Sequence, residues 1–158
     1  MTVEEAEPRP APRGSLAELY AVQYLPMVRL AYLLTGSTAV AEDVVQDSFV
    51  QLQRKWSGVR DPAAYLRRSV VNGCGTHHRR VGRERARFPG LVTDTVLPET
   101  PVVLDALAAL PHRQRAALVL RYYEDRTEAE IAAVLGCQPA TVRSLVHRGL
   151  EALRKVIT

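Results

Sequence analysis

The chain has 158 residues, of which 47% are apolar and 24% are charged, and this ordinary globular composition excludes a wholly disordered or fibrous protein. No apolar run reaches the roughly 18 residues that a membrane span needs, and two distant cysteines make no disulfide framework, so we expect a protein of the reducing cytoplasm without membrane insertion. The net charge of +4 is unevenly distributed along the chain. Residues 67–87 hold seven arginines and one glutamate, a net charge of +6, so the rest of the chain has a net charge of −2. A concentrated basic segment of this kind indicates a polyanionic partner.

The first predicted element follows a tail, residues 1–14, in which three prolines oppose a regular helix and few apolar side chains are present. We expect this tail to be disordered. From Ser15 onward the apolar residues recur at helical spacing, and Gly36 is expected to end this first helix as a C-cap. Pro26 lies inside the segment and lacks a backbone donor, so a kink or a break is expected there.

A second helix is predicted from Ser37 or Thr38 to about Lys55. One of its faces is apolar and the other is polar, as expected for a helix packed on a core. The polar face carries an acidic and amide surface at helical spacing that suits a basic partner helix, formed by Asp43, Gln46 and Asp47. Most charged helices have a solvated face of this kind, so the pattern alone favours plain solvation.

The third helix is predicted to begin at Asp61 and Pro62, because an Asx cap followed by proline at the first helical position is a typical helix start. It continues into the arginine-rich stretch. Two closely spaced glycines, with an asparagine before the first, favour a loop or a local break near residues 72–76. On pattern alone, a simple turn is the plainest interpretation of that break.

Residues 88–101 contain three prolines and one glycine and show no helical period, which predicts a flexible linker. The chain is therefore expected to be all-α, with one small helical domain in residues 15–87 and a second in residues 102–158. Each domain is small for an independent core, so each is expected to lean on a partner.

The second domain ends in a pattern typical of a helix-turn-helix. A capping box opens a short helix at Thr127, a three-residue turn begins with Gly136, and Pro139 starts the last helix. The side chains that project away from its apolar stripe would enter the major groove of DNA; they are Arg143, Ser144, His147 and Arg148. Thr141 and the helix N-terminus can hold a phosphate. An ordinary helical hairpin with solvated arginines is the less favoured alternative.

Three segments, in this order, resemble the extracytoplasmic-function sigma factors of bacterial RNA polymerase. LAYLLTGSTAVAEDVVQDSFVQLQRKW resembles their region 2.1–2.2, and DPAAYLRRSVVNGCGTHHRR resembles regions 2.3–2.4. LPHRQRAALVLRYYEDRTEAEIAAVLGCQPATVRSLVHRGLEALR resembles region 4. The resemblance covers about residues 16–156. It implies a sigma region 2 helical bundle and a region 4 helix-turn-helix that bind polymerase core and recognise the −10 and −35 promoter elements.

The resemblance also implies which residues meet the polymerase. In the family, the region 2.2 helix docks on the clamp coiled coil of the β′ subunit, and the β flap is a second contact. The residues that match the docking face are Asp43, Gln46 and Asp47. An anti-sigma protein is a further partner class that the family implies.

Promoter contacts follow from the same resemblance. Region 2.4 reads the −10 element with a base flipped from the non-template strand, and glycines at the expected helix break would let that base approach closely. The implied −10 residues are Arg67, Arg68, Asn72, Thr76, His77, Arg79 and Arg80. The implied −35 residues are Thr141, Arg143, Ser144, His147 and Arg148. Leu145 stands where many members carry a basic residue, so one phosphate contact is expected to be missing.

Other functions are less favoured by the sequence. It contains no Walker loop, no hydrolase nucleophile elbow and no metalloprotease motif, so no enzyme activity and no cofactor are predicted. Cys74, His77 and His78 supply too few ligands for a metal ion. Trp56 would either stack near the melted junction or, more commonly for one tryptophan on an apolar face, belong to the core. The alternative function is a helix-turn-helix regulator that does not bind polymerase, but such a protein needs no acidic docking helix.

Overall fold

The computed structural model describes residues 14–87 and 102–157, and within these ranges the regular structure is entirely helical. The helices are α1 Leu16–Thr35, α2 Thr38–Lys55, α3 Pro62–Arg87, α4 Val102–Ala108, α5 His112–Leu118, α6 Glu128–Leu135 and α7 Pro139–Ile157. A 3₁₀ turn, Trp56–Gly58, follows α2, and a π-helical turn, Val119–Tyr123, continues α5. The all-α fold is confirmed. The predicted linker, and the tail except for Gly14, lie outside the described residues.

The helix ends are where local sequence chemistry predicted them. Ser15 caps α1 in a reciprocal capping box, and Gly36 ends that helix in the left-handed conformation with a φ of 73°. Ser37, rather than Thr38, is the N-cap of α2. Asp61 Oδ1 accepts a hydrogen bond from the Ala64 backbone N–H at 3.1 Å, which is the Asx cap expected for α3.

The break expected at Pro26 is absent, because α1 runs through it without interruption. Proline removes the hydrogen bond to the carbonyl four residues earlier, which here belongs to Val22. Both Pro26 and Val22 are exposed, so water can hydrate the carbonyl that loses its partner. The prediction of a break was wrong for that reason, and a kink at Pro26 stays a prediction.

The break expected near residues 72–76 is also absent, and α3 is continuous from Pro62 to Arg87. Its glycines serve close packing instead of a turn. A Cβ atom on Gly73 would lie 2.8 Å from Val44 Cγ1 of α2, and a Cβ atom on Gly75 would lie 2.7 Å from the His112 ring. These glycines let neighbouring elements approach α3 closely, and their expected part in admitting an extruded base stays a prediction.

The described helices form two groups that share one apolar core. The first group is centred on Leu30, Leu34, Val45, Leu66 and Val70, and the second on Leu120, Ile131 and Val142. α3 packs against α5 and α6, and α1 packs against α4 and α5. Trp56 is partly buried against this core, in agreement with the commoner interpretation of that residue. The partner that each small domain was expected to need is, in this structure, the other domain.

Adding one methyl group at Gly149 of α7 is expected to destabilise the protein. A Cβ atom there would lie 2.8 Å from Leu118 Cδ1 and 3.0 Å from its Cγ, and Leu118 is buried, so its side chain has to shift within the core. Overpacking of this kind costs about 1–3 kcal/mol. Gly82→Ala is the matched control, because a Cβ atom on Gly82 meets nothing within 4 Å. In urea unfolding, Gly149→Ala should have a lower midpoint concentration than the Gly82→Ala control. Equal midpoints for the two variants would contradict the packing argument.

Acidification is expected to weaken the packing through His112. Burial, followed by the neighbouring charges of His78, Arg79 and Arg115, lowers the pKa of His112 from 6.5 to about 4. Between these two values the unfolded chain binds the extra proton, so stability falls as the pH falls from about 6.5. Urea unfolding at pH 5, 6 and 7 should show a shallower pH dependence for His112→Gln than for the wild type. The exposed His147→Gln should keep the wild-type slope; equal slopes for all three proteins would refute this origin.

Candidate protein and nucleic-acid interfaces

A groove of about 580 Å³ separates α2 from α3. Its α2 wall carries Asp43 and Asp47, and its α3 wall carries Arg68, Asn72, Thr76, His77 and Arg80. Val44 and Gly73 also line the groove, and Gly73 lets α3 approach Val44 of α2 closely there. One wall is therefore acidic and the other basic, so a single concave surface can meet a cationic and an anionic partner side by side.

The three residues of the predicted docking face on α2 are all exposed, but they do not share identical surroundings. Asp43 and Asp47 face the groove, whereas Gln46 turns towards α1, where its Nε2 donates to Tyr20 Oη at 3.0 Å. Tyr20 is itself held between Tyr24 and Phe49, with ring centroids 4.9 and 4.8 Å away. This tyrosine contact was not foreseen from the sequence, since the two residues are 26 positions apart.

Local hydrogen bonds order part of the α3 wall. Arg79 Nη2 donates to Thr76 Oγ1 at 3.2 Å, and Arg80 Nη2 lies 3.4 Å from His77 Nδ1. Burial, and then the Arg80 charge, lower the pKa of His77 below its usual 6.5. A neutral His77 can accept a hydrogen bond at Nδ1, so the histidine and arginine form a polar pair at neutral pH.

Arg67 and Arg79 are the two predicted −10 residues that do not line the groove. Arg67 Nε donates to Glu124 Oε2 at 2.6 Å, and the two side chains are only 11% and 9% exposed. Arg67 therefore faces the second group of helices instead of the groove. Sequence spacing could not reveal Glu124 as its partner, because 57 residues separate the two.

The helix-turn-helix has the expected form. Gly136 is left-handed with a φ of 66°, and α7 begins at Pro139. The predicted −35 residues, namely Thr141, Arg143, Ser144, His147 and Arg148, are all exposed along α7. Arg143 Nη1 lies 3.6 Å from Glu128 Oε2, and His147 Nε2 lies 3.4 Å from Glu151 Oε1. Exposed pairs of this kind are weak, so a phosphate or a base edge can replace the carboxylate.

Leu145 has a different role from the one expected. It is 9% exposed and packs in the core beside Val142 and Gly149. A basic side chain at this position of α7 would point into the apolar interior of the domain. No phosphate contact is therefore missing because of Leu145, and the expectation of a missing contact was wrong.

Neither a metal site nor a membrane span emerges from the described ranges. No group of three or more His, Cys, Asp or Glu side chains in residues 14–87 and 102–157 is arranged to hold a metal ion. Burial raises the pKa of the Cys74 thiol to about 12, so this side chain stays protonated. The helices described above include none with both the length and the apolar character that crossing a bilayer requires.

Comparison with known proteins identifies both groups of helices. The chain matches the family descriptions Sigma-70 region 2 over residues 21–84 and Sigma-70, region 4 over residues 102–153. The RNA polymerase sigma-E factor of Streptomyces avermitilis is 32% identical over 144 residues, which cover 82% of this chain and 77% of the relative. The ECF RNA polymerase sigma factor SigL of Mycobacterium tuberculosis is also 32% identical, over 80% of this chain and 79% of the relative.

Solved structures show the same fold. The sigma factor RpoE of Bartonella quintana, determined in complex with the anti-sigma factor NepR, aligns with a TM-score of 0.74 over 89% of this chain and 95% of that chain, at 22% identity. The two matched regions, the sequence identities and the shared all-α architecture agree with one another. The chain therefore belongs to the extracytoplasmic-function sigma factors, the initiation factors with which RNA polymerase starts transcription at specific promoters.

Proposed function

We propose that the two walls of the α2–α3 groove bind different partners of region 2, one wall the polymerase and the other the promoter strand. The acidic wall, with Asp43 and Asp47, docks on a basic helix of the β′ clamp, and Gln46 supports the same contact from the α1 side of the helix. The observation that carries this proposal is the opposition of acidic and basic walls across one groove. Polymerase bound on one wall would hold the promoter strand against the other.

The α3 wall supplies the −10 contacts in this proposal. Arginine side chains hold strand phosphates, and the Asn72 amide and the Thr76 hydroxyl can hydrogen-bond to the edge of an exposed base. The residues assigned are Arg68, Asn72, Thr76, His77 and Arg80 on the wall and Arg79 beside Thr76, with Arg67 joining them once Glu124 releases it. The base meets a continuous helix surface, since α3 has no break for it to enter.

The second domain reads the −35 element through α7. Its exposed face carries Arg143 near the N-terminal end and Arg148 more than a turn further on. The N-terminal part of a recognition helix reaches base edges, so Arg143 is assigned to a base and Arg148 to phosphate. Thr141, Ser144 and His147 complete this surface.

The remaining assignments follow from the same picture. The domains are residues 15–87 and 102–158, joined by 88–101, and the protein acts without catalytic chemistry of its own in the cytoplasm. The β flap is the second polymerase contact, for region 4. An anti-sigma protein is a further partner, supported by the fold shared with a sigma factor determined in complex with NepR.

Reconstituted transcription tests the proposed function. The full chain is mixed with polymerase core, co-elution is measured by gel filtration, and run-off transcription is measured from a candidate promoter and from versions with the −10 or −35 element scrambled. We expect co-elution, and we expect each scrambled element to reduce the transcript. A chain that binds the promoter alone and never associates with core would instead be a helix-turn-helix regulator.

A further inference from the structure

The C-terminal end of α3 extends beyond the part of the helix that packs on the core. Gly75 is the last buried residue of α3, and residues 79–87 are all exposed except Val81, which is half-buried. We call residues 79–87 the basic end. At 1.5 Å per residue the basic end is about 13 Å long. Burial of an apolar face therefore does not explain which side chains the basic end carries.

The charge of the basic end is high for its length. It holds five arginines and one glutamate, a net charge of +4, which equals the net charge of the whole chain. Cations near a helix C-terminus also match the helix dipole and need no ligand for that purpose. That explanation depends on distance from the helix end and is indifferent to the face on which a cation lies. The distribution of the arginines around the helix therefore decides between a plain helix end and a binding surface.

The arginines of the basic end continue the face of α3 that lines the groove. Successive residues of a helix are about 100° apart, so Arg83 and Arg87 fall within the same sector of about 120° as the residues of the α3 wall. The other members of that sector are Arg68, Asn72, Thr76, Arg79 and Arg80. Among the α3 residues that line the groove, Arg80 is the last, and Arg87 lies two turns further on. Arg85 lies on the opposite side of the helix. The face of the α3 wall is thus prolonged by two turns that carry arginine.

The arginines along this face differ in their contacts. Arg79 Nη2 donates to Thr76 Oγ1 at 3.2 Å, and Arg80 Nη2 lies 3.4 Å from His77 Nδ1. Arg83 and Arg87 make no hydrogen bond or ion pair with any residue in the described ranges 14–87 and 102–157. A guanidinium group presents up to five donors in a fork that fits phosphate oxygens. These two side chains are therefore available to an anionic ligand.

The direction of the chain indicates which ligand reaches the basic end. In the proposed function the α3 wall holds the −10 strand and α7 enters the major groove of the −35 element, so duplex DNA lies between the two contacts. The chain leaves the basic end at Arg87 and re-enters a described helix at Val102 of the second domain. Each strand of that duplex carries a phosphate every 3.4 Å along the axis, and arginines four residues apart present a cation about every 6 Å.

We propose that the basic end is a binding site for the sugar-phosphate backbone of the duplex between the −10 and −35 elements, with Arg83 and Arg87 as its contact residues. The proposal rests on the function proposed above. Contacts to phosphate hold a protein in register on DNA and carry no sequence information directly. The basic end therefore adds affinity for the duplex next to the −10 element, while the groove makes the contacts to bases.

Promoter binding by the holoenzyme tests the contact residues. The variants are Arg83→Ala, Arg87→Ala and the double variant, and Arg85→Ala is the matched control because it removes the same charge from the opposite side of the same helix end. Each single variant should lower the slope of log affinity against log salt concentration by about one, and the double variant by about two. At physiological salt the double variant should bind the promoter roughly tenfold more weakly. Arg85→Ala should keep the wild-type slope, and all variants should keep the wild-type helical circular dichroism.

Two altered templates locate the contact on the DNA. Neutral methylphosphonate linkages in the duplex next to the −10 element should weaken the wild type but not the double variant, which has already lost the contact. A template that keeps the −10 strand but lacks the upstream duplex should bind both proteins equally well. A titration with polymerase core alone should give the same affinity for the wild type and the double variant.

Several results would overturn the proposal. A slope for the double variant equal to that of the wild type, or an equal drop for Arg85→Ala, would show that this face makes no specific phosphate contact. A loss that persists on the template without upstream duplex would assign Arg83 and Arg87 to the −10 strand. Weaker binding of core alone would assign them to the polymerase. A wild-type holoenzyme that binds scrambled and intact promoters alike would instead remove the proposed function, and this inference with it.

Discussion

Reversing both acidic charges on the α2 wall, as Asp43→Arg with Asp47→Arg, is expected to weaken binding to polymerase core by at least about 100-fold. Both side chains are exposed and line the groove, so in the proposed complex they meet a basic partner helix. Charge reversal replaces attraction by like-charge repulsion at a contact that excludes water, where such changes have large effects. The fold should be unaffected, because exposed substitutions away from special features change stability little.

The measurement is a titration of labelled core with the full-length variant, together with a thermal melt of the free protein. Glu42→Arg is the matched control, since Glu42 is exposed on the same helix but does not line the groove. We expect the control to stay within about threefold of the wild type. An equal loss for the control and the double variant would mean that net charge, and not the groove wall, governs binding.

The second large effect is expected at Arg143 of α7. Arg143 is 64% exposed and lies 3.6 Å from Glu128 in a weak surface pair, so its guanidinium can exchange that carboxylate for a guanine edge in the −35 element. Arg143→Ala should cost about 1–3 kcal/mol of promoter binding and relax the base preference at one position. Arg148→Ala is the matched change further along the same helix. It should weaken binding to all promoter sequences alike, and it should lower the slope of log affinity against log salt concentration by about one.

Holoenzyme binding to promoters varied base by base in the −35 element, at two salt concentrations, separates these outcomes. The diagnostic quantity for Arg143→Ala is the pattern of losses across bases, because a phosphate contact lowers all affinities equally. A uniform loss with no position relaxed would assign Arg143 to positioning the helix and not to reading sequence.

Much of the candidate site could be anticipated from helical spacing, since residues three and four apart share a face of a helix. Helical spacing predicts that Asp43 and Asp47 share one face of α2, and that Arg68, Asn72 and Thr76 share one face of α3; all five line the groove. It could not show that these two faces oppose each other across one groove, because the contact depends on how α2 and α3 pack. The separation of Arg67 from its neighbours has the same origin.

The features that the amino-acid sequence determined by itself are those that depend on a few neighbouring residues. They include the capping boxes, the left-handed glycines after α1 and α6, and the amphipathic helices of the helix-turn-helix. Each is decided by hydrogen bonds and steric limits within about one turn of the chain. The family resemblance added the order of the two regions, which the matched residues 21–84 and 102–153 confirm.

Only the tertiary structure decided the features that join distant segments. Gly73 and Gly75 belong to an unbroken helix because Val44 and His112 fill the space beside them, and a glycine pattern alone cannot tell close packing from a turn. Leu145 is an interior residue because of the way α7 packs on its domain. Arg115 and Glu124 hold the two domains together across 82 and 57 positions, and such contacts leave no periodic trace in the sequence because they arise when separate elements meet.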